Sequence, residues 1–161
     1  VCLLLIPLTW NRLTTFSHPL LLWDDAASLI EDRPYLPGFE RVYHNRSTAL
    51  YEVGLKQQAL DDCNRVIALN PEFGFIYSNR GAVYYDWGRY EEALRDFNKA
   101  TEIKPGYARP YLGRGLLFEK LNKLPAARAN YSVSCAMKLR EGCEMLQRLD
   151  AGTASAVPIP P

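Results

Sequence analysis

The sequence is short of the groups that carry out chemistry. It has two histidines, His18 and His44, and four cysteines, Cys2, Cys63, Cys135 and Cys143. No two cysteines form a C-x-x-C pair and none has a histidine at ligand spacing, which argues against a zinc site. A glycine-rich phosphate loop, a metal-ligand cluster and a basic-aromatic platform for single-stranded nucleic acid are all missing. Neither sign of charge predominates. Nineteen basic residues stand against eighteen acidic ones, a formal net charge of +1 without runs of like charge. No long-range field therefore steers the chain to nucleic acid, anionic lipid or a polyanion. Its most apolar run, "VCLLLIPLTW", has ten residues, where a bilayer span needs about 20. The expectation is a protein without a small-molecule cofactor or a nucleic-acid partner.

Catalysis needs a nucleophile, a base and an orienting group on one cleft, and the candidates are weak. His44 falls inside a predicted helix with no partner at useful spacing, so it reads as a partly exposed helix residue. Asp61 and Asp62, like Glu91 and Glu92, are neighbours on a helix and point to different azimuths; each pair reads as a solvated face. Asn45-Arg46-Ser47 and Asn130-Tyr131-Ser132 fit the glycosylation sequon but lie within predicted helices. The chain is read as non-enzymatic. Cys63 and Cys135 are placed on the core side as small hydrophobic thiols. Reduced core thiols fit the cytosol, and four cysteines without a disulfide framework leave the periplasm and the cell exterior open.

What is present is a repeat. At 48% hydrophobic and 23% charged, the chain suits a globular domain. Residues 40–73, 74–107 and 108–141 align without a gap at a spacing of 34. Tyr43, Tyr77 and Tyr111 coincide, as do Arg46, Arg80 and Arg114. Gly54 meets Gly88 and Asn122, Ala59 meets Ala93 and Ala127, and Cys63 meets Phe97 and Tyr131. Repetition at this period is a stronger fold signal than local propensity.

Each unit reads as two helices. In the middle unit the first is expected from about Phe75 to Trp87, stopped by a left-handed Gly88. The second is expected from Tyr90 to Ile103, with Glu91 and Glu92 at the positive end of its dipole and Pro105 forbidding continuation. Gly81 and Ala93 are small where the two helices approach, and Tyr84 and Phe97 fill the space beside them.

The run Tyr77-x2-Arg80-Gly81-x2-Tyr84, with Ala93-x3-Phe97 and Pro105, resembles the tetratricopeptide repeat. Tyr replaces the usual Trp and Arg the usual Leu. The flanking units depart further: Ser47 and Leu50 stand for Gly81 and Tyr84 in the first, and Leu139 for the proline in the third. The resemblance implies an all-α, right-handed superhelical solenoid of antiparallel helix pairs whose first helices line a concave groove. It further implies a protein-interaction module that holds a peptide or partner segment there. By the family's pattern the contact residues are Arg41, His44, Asn45, Thr48 and Tyr51 in the first unit. The second unit supplies Phe75, Ser78, Asn79 and Tyr85, and the third Arg109, Leu112 and Leu116. Asparagine offers donor and acceptor to a peptide backbone, the aromatics flat apolar contact, and Arg109 a seat for a carboxylate. Chaperone-adaptor domains of this family clamp a C-terminal carboxylate. Asn79 and Arg109 match two of their clamp positions, but His44, Thr48 and Gly113 stand where lysine, asparagine and a basic residue are needed, so that clamp is not expected.

Residues 1–21 form an apolar N-terminal segment, open to three readings: the end of a membrane helix, the end of a signal peptide, or a docked helix. Residues 22–39 resemble a degenerate half-repeat with Trp23, Ala26, Ala27, Leu29 and Ile30 on one apolar face. Residues 142–150 read as a capping helix, with Cys143, Leu146 and Leu149 apolar and Glu144 and Arg148 wet. Residues 151–161 read as a disordered tail. Two alternatives accompany the interaction module. One is the C-terminal repeat region of a polytopic, glycosyltransferase-like membrane protein whose catalysis lies elsewhere, tethered through its N-terminal segment. The other is a homo-oligomer built by self-assembly. The sequence leaves the location open among the cytoplasmic face of a membrane, the periplasmic face of a membrane and the soluble cytoplasm.

Overall fold

A computed structural model describes residues 19–33 and 36–152. The apolar run at residues 1–10 and most of the tail, both singled out above, lie outside the described residues. The fold is all-α, and the described residues form eight helices in two compact units, which divide between residues 73 and 74. Among the described residues no helix is long and apolar enough to cross a membrane.

The first unit contains α1 (Pro19–Ile30), α2 (Phe39–Glu52) and α3 (Lys56–Leu69), with α1 packed on α2 and α2 on α3. Tyr43, Ser47 and Leu50 of α2 are buried with Ala59, Cys63 and Val66 of α3. Arg65 lies over the Tyr43 ring, 4.8 Å from its centroid. Of the apolar face expected on α1, only Ala27 is buried, and Leu29 is 74% exposed. Two residues on from Ala27, Leu29 sits about 200° round the helix and so turns away from α2.

The second unit contains α4 (Gly74–Asp86), α5 (Tyr90–Ile103), α6 (Ala108–Lys120), α7 (Leu124–Ala136) and α8 (Arg140–Asp150). Contacts run α4 to α5, α5 to α6, α6 to α7 and α7 to α8, and α4 also touches α6. The turn inside each helix pair carries a left-handed residue: Gly54 at φ 83°, Gly88 at φ 73° and Asn122 at φ 56°. Asparagine tolerates that region, which is why the third unit manages without glycine.

Helix pairs close through complementary volumes. A Cβ at Gly81 would lie 2.7 Å from the Phe97 ring, and one at Gly115 would lie 2.4 Å from Tyr131. The equivalent pair in the first unit is Ser47 with Cys63, both fully buried. There the first helix gains a hydroxymethyl group and the second loses a ring, so the site stays filled.

The third unit ends differently. Where Pro71 and Pro105 follow the earlier second helices, Leu139 keeps its N–H and donates to the Ser134 carbonyl at 3.2 Å, after Lys138 at φ 64°. The same bonding joins Arg89 N–H to Tyr84 O and Lys123 N–H to Phe118 O inside the helix pairs. The chain therefore turns straight back into α8. This corrects the reading of the cysteines. Cys135 is half-buried, not a core thiol, and it is joined to Cys143 in a disulfide with a Cα–Cα distance of 4.5 Å. Cys135 lies one helical turn beyond the buried Tyr131, at the edge where α8 folds back. Cys63 does remain a thiol, fully buried.

Two further expectations are corrected. Asp62 is not on a solvated face but 4% exposed, held by Arg46. Arg148 does not lie on the wet side of α8; it is 14% exposed at the side chain and paired with Glu119 of α6. In each case a long cation reaches a carboxylate on a neighbouring helix, which periodicity within one helix cannot show.

Candidate binding surface

The first helices α2, α4 and α6 carry the residues named for peptide contact. On α2, Arg41 is exposed and His44, Asn45, Thr48 and Tyr51 are half-buried. The His44 ring meets Phe73 edge-on at 5.9 Å, and Thr48 Oγ1 donates to the His44 carbonyl at 3.0 Å. Lys56 sits 5.9 Å from the centre of the Tyr51 ring. These contacts fix several of the side chains from within the unit.

In the second unit α4 and α6 are in contact. Phe75, Asn79 and Tyr85 of α4 and Leu112 and Leu116 of α6 are half-buried, and Arg109 is exposed. Phe75 packs edge-on against Tyr107 at 4.9 Å, with the Lys104 ammonium 5.1 Å from its ring centre. Ser78 is buried rather than open, and it shares a hydrogen bond with Tyr107, whose hydroxyl is pushed up mainly by burial. Gly113 backs onto α5: a Cβ there would lie 2.5 Å from Phe97.

Deeper in the same unit is a polar cluster. Tyr131 Oη donates to Glu119 Oε2 at 2.6 Å, and Arg148 pairs with Glu119 Oε1. Burial first, then the bond to Glu119, raises the Tyr131 pKa. The Tyr85 hydroxyl is buried with no hydrogen-bond partner, and its pKa is pushed up to about 12, chiefly by burial. A cleft of about 500 Å³ opens elsewhere, lined by Arg89, Tyr90, Glu91, Leu117, Leu121 and Lys123 among others, and shares no residue with the named set. Among the described residues no group of three His, Cys, Asp or Glu could hold a metal ion.

A third feature is built at the repeat's own period. Arg46 grips Asp62 at 2.8 and 2.6 Å, and Arg80 grips Asp96 at 2.7 and 2.8 Å. Both pairs are two-pronged, and both link the first helix of a unit to its second across sixteen residues. The signal was present in the sequence: the self-alignment that superposes the arginines also superposes Asp62, Asp96 and Asn130.

Helix pairs at a period of 34, closed by a glycine against a ring, can be compared with known families. Residues 75–107 match the family model of the tetratricopeptide repeat. The chain carries a tetratricopeptide repeat. Arg80 and Asp96, on α4 and α5, both lie within that repeat. No curated protein sequence matches the chain. Solved structures share its fold, a helical solenoid of tetratricopeptide type. The tetratricopeptide-repeat protein TTC0263 of Thermus thermophilus is 20% identical with a TM-score of 0.71, over 91% of this chain and 79% of that one. The first repeat domain of Spaghetti (RPAP3), solved with the HSP90 peptide SRMEEVD, is 21% identical with a TM-score of 0.63, over 72% of this chain and 94% of that one. MamA is 27% identical with a TM-score of 0.55, over 65% of this chain and 61% of that one.

Proposed function

We propose that the chain is a non-catalytic interaction module and that α4 and α6 of its second unit form a surface for a peptide segment of another protein. The observation that carries this reading is the contact between α4 and α6, the first helices that carry half-buried Phe75, Leu112 and Leu116 and exposed Arg109. Apolar side chains left partly open beside a cation suit a segment that brings its own apolar residues and a carboxylate. The likeness in fold to structures solved with the peptides SRMEEVD and SGPTIEEVD supports the reading. A carboxylate clamp like that of the chaperone adaptors is not part of it. Gly113 stands where such a clamp needs a basic residue, and the Phe97 ring occupies the space beside it.

The test is selection from a displayed random-peptide library, followed by affinities for the recovered peptides. Arg109→Glu and Leu112→Ser are expected to weaken binding at least about tenfold each, the equivalent of about 1.4 kcal/mol, with an unchanged helical melt. Peptides that bind both variants as well as the parent would remove this surface as the site.

A further inference from the structure

The three repeat-equivalent arginines differ in what answers their charge. Arg46 and Arg80 each give Nε and Nη2 to both oxygens of an aspartate. In the third unit the aspartate is replaced by Asn130. Arg114 Nε donates to Asn130 Oδ1 at 2.9 Å, and Nη1 donates to Asn98 Oδ1 at 2.9 Å. Both acceptors are neutral. No carboxylate of the described residues lies within 4.0 Å of this guanidinium, and Nη2 has no acceptor among them.

The group is nevertheless held in place. Asn130 Nδ2 donates to the Ala126 carbonyl at 2.8 Å, which fixes its oxygen toward Arg114. The Tyr111 ring covers one face of the guanidinium at 4.8 Å, and Tyr111 Oη donates to the Pro105 carbonyl at 3.2 Å. Arg114 is half-buried, and burial lowers its pKa, but a guanidinium stays charged at any physiological pH. A positioned cation thus stands where two other repeats supply an anion. Asn98, beside it, is exposed, so the position is open at its edge.

We propose that Arg114, framed by Tyr111, Asn98 and Asn130, is a receptor for one carboxylate, supplied by an aspartate or glutamate side chain of a protein partner. The incoming oxygen accepts from Nη2, the donor that an aspartate at position 130 would have satisfied. The site is separate from the surface proposed above: Arg114 lies about 200° round α6 from Leu112, and its partners are on the second helices α5 and α7. In the other two units the equivalent Nη2 donates to a carboxylate oxygen, a charge-assisted bond that an incoming carboxylate would restore here.

The experiment follows the Arg114 Nε–Hε resonance while the chain is titrated with acetyl-Gly-Asp-Gly-amide, and with acetyl-Gly-Asn-Gly-amide as the neutral control. The expected result is a saturable shift with the aspartyl peptide alone. Asn130→Asp provides the carboxylate from within, so that variant is expected to lose the response while melting at or above the parent's temperature. An equal response to both peptides overturns the proposal, as does no response to either. So does an Asn130→Asp variant that still responds as the parent does.

Discussion

The Phe97 ring lies in the space that a side chain at Gly81 would occupy, so α4 and α5 can approach only because residue 81 has no Cβ. Gly81→Ala therefore forces the ring to move, at a cost of about 1–3 kcal/mol. The first unit shows how the strain is relieved, with Ser47 against Cys63. In urea unfolding, Gly81→Ser combined with Phe97→Cys is expected to be more stable than the sum of the single losses by more than about 0.5 kcal/mol. Additivity within that margin would mean that the two positions do not share one space.

Glu119 and Arg148 are each 14% exposed at the side chain, so neither charge is solvated enough to stand alone. Arg148→Met leaves the carboxylate with only the Tyr131 hydroxyl and is expected to cost about 3–5 kcal/mol. Pairing it with Glu119→Gln removes the stranded charge and is expected to recover most of that loss. Equal stability of the single and double variants in denaturant unfolding would contradict this account.

Tyr85 has a buried hydroxyl without a partner. A buried donor left unmade is costly, whereas an apolar group of the same shape is tolerated, so Tyr85→Phe is expected to be neutral or to stabilise by about 1 kcal/mol at pH 7. The pH dependence has a definite sign. The folded-state pKa, about 12, lies above the unfolded value of about 10, so the unfolded chain loses its proton first. The contribution of this group is fully present below pH 10 and is lost as the pH rises toward 12. Tyr85→Phe is expected to flatten the alkaline fall in stability, measured by urea unfolding between about pH 9 and pH 11.5, a window that brackets the unfolded value. An identical fall in both proteins would contradict the shift.

The Cys135–Cys143 disulfide closes a short loop across the turn into α8. A loop of this size is expected to contribute about 2–3 kcal/mol by restricting the unfolded chain. Replacing both cysteines by serine is expected to lower the melting temperature and to speed amide exchange in α8 before the rest of the second unit. Uniform exchange across both units would show that the bond does not act locally.

Much of this protein was legible in its sequence because the period of 34 is itself a physical constraint. A helix pair that recurs must recur with a small residue at the crossing and a left-handed residue at the turn. Gly81, Gly88, Ala93 and Phe97 announce both, and the second helix begins at Tyr90 and ends at Ile103 as the proline and the acidic first turn imply. Local chemistry sufficed there because each requirement is met within one unit.

Other features were decided only when the helices met. Asp62 and Arg148 look solvated along their own helices and are enclosed by neighbours. Cys135 and Cys143 are eight residues apart and become bonded because Leu139, unlike proline, can donate to Ser134 and turn the chain back. Gly113, which stands where a carboxylate clamp needs a basic residue, proves to lie against Phe97 of the preceding helix. The sequence alone determined the helices, their pairing and the turns, since these follow from backbone preferences and packing within a pair. The tertiary structure alone decided which charges are buried, which cysteines bond and which first-helix side chains stay open, since those depend on atoms brought together from different helices.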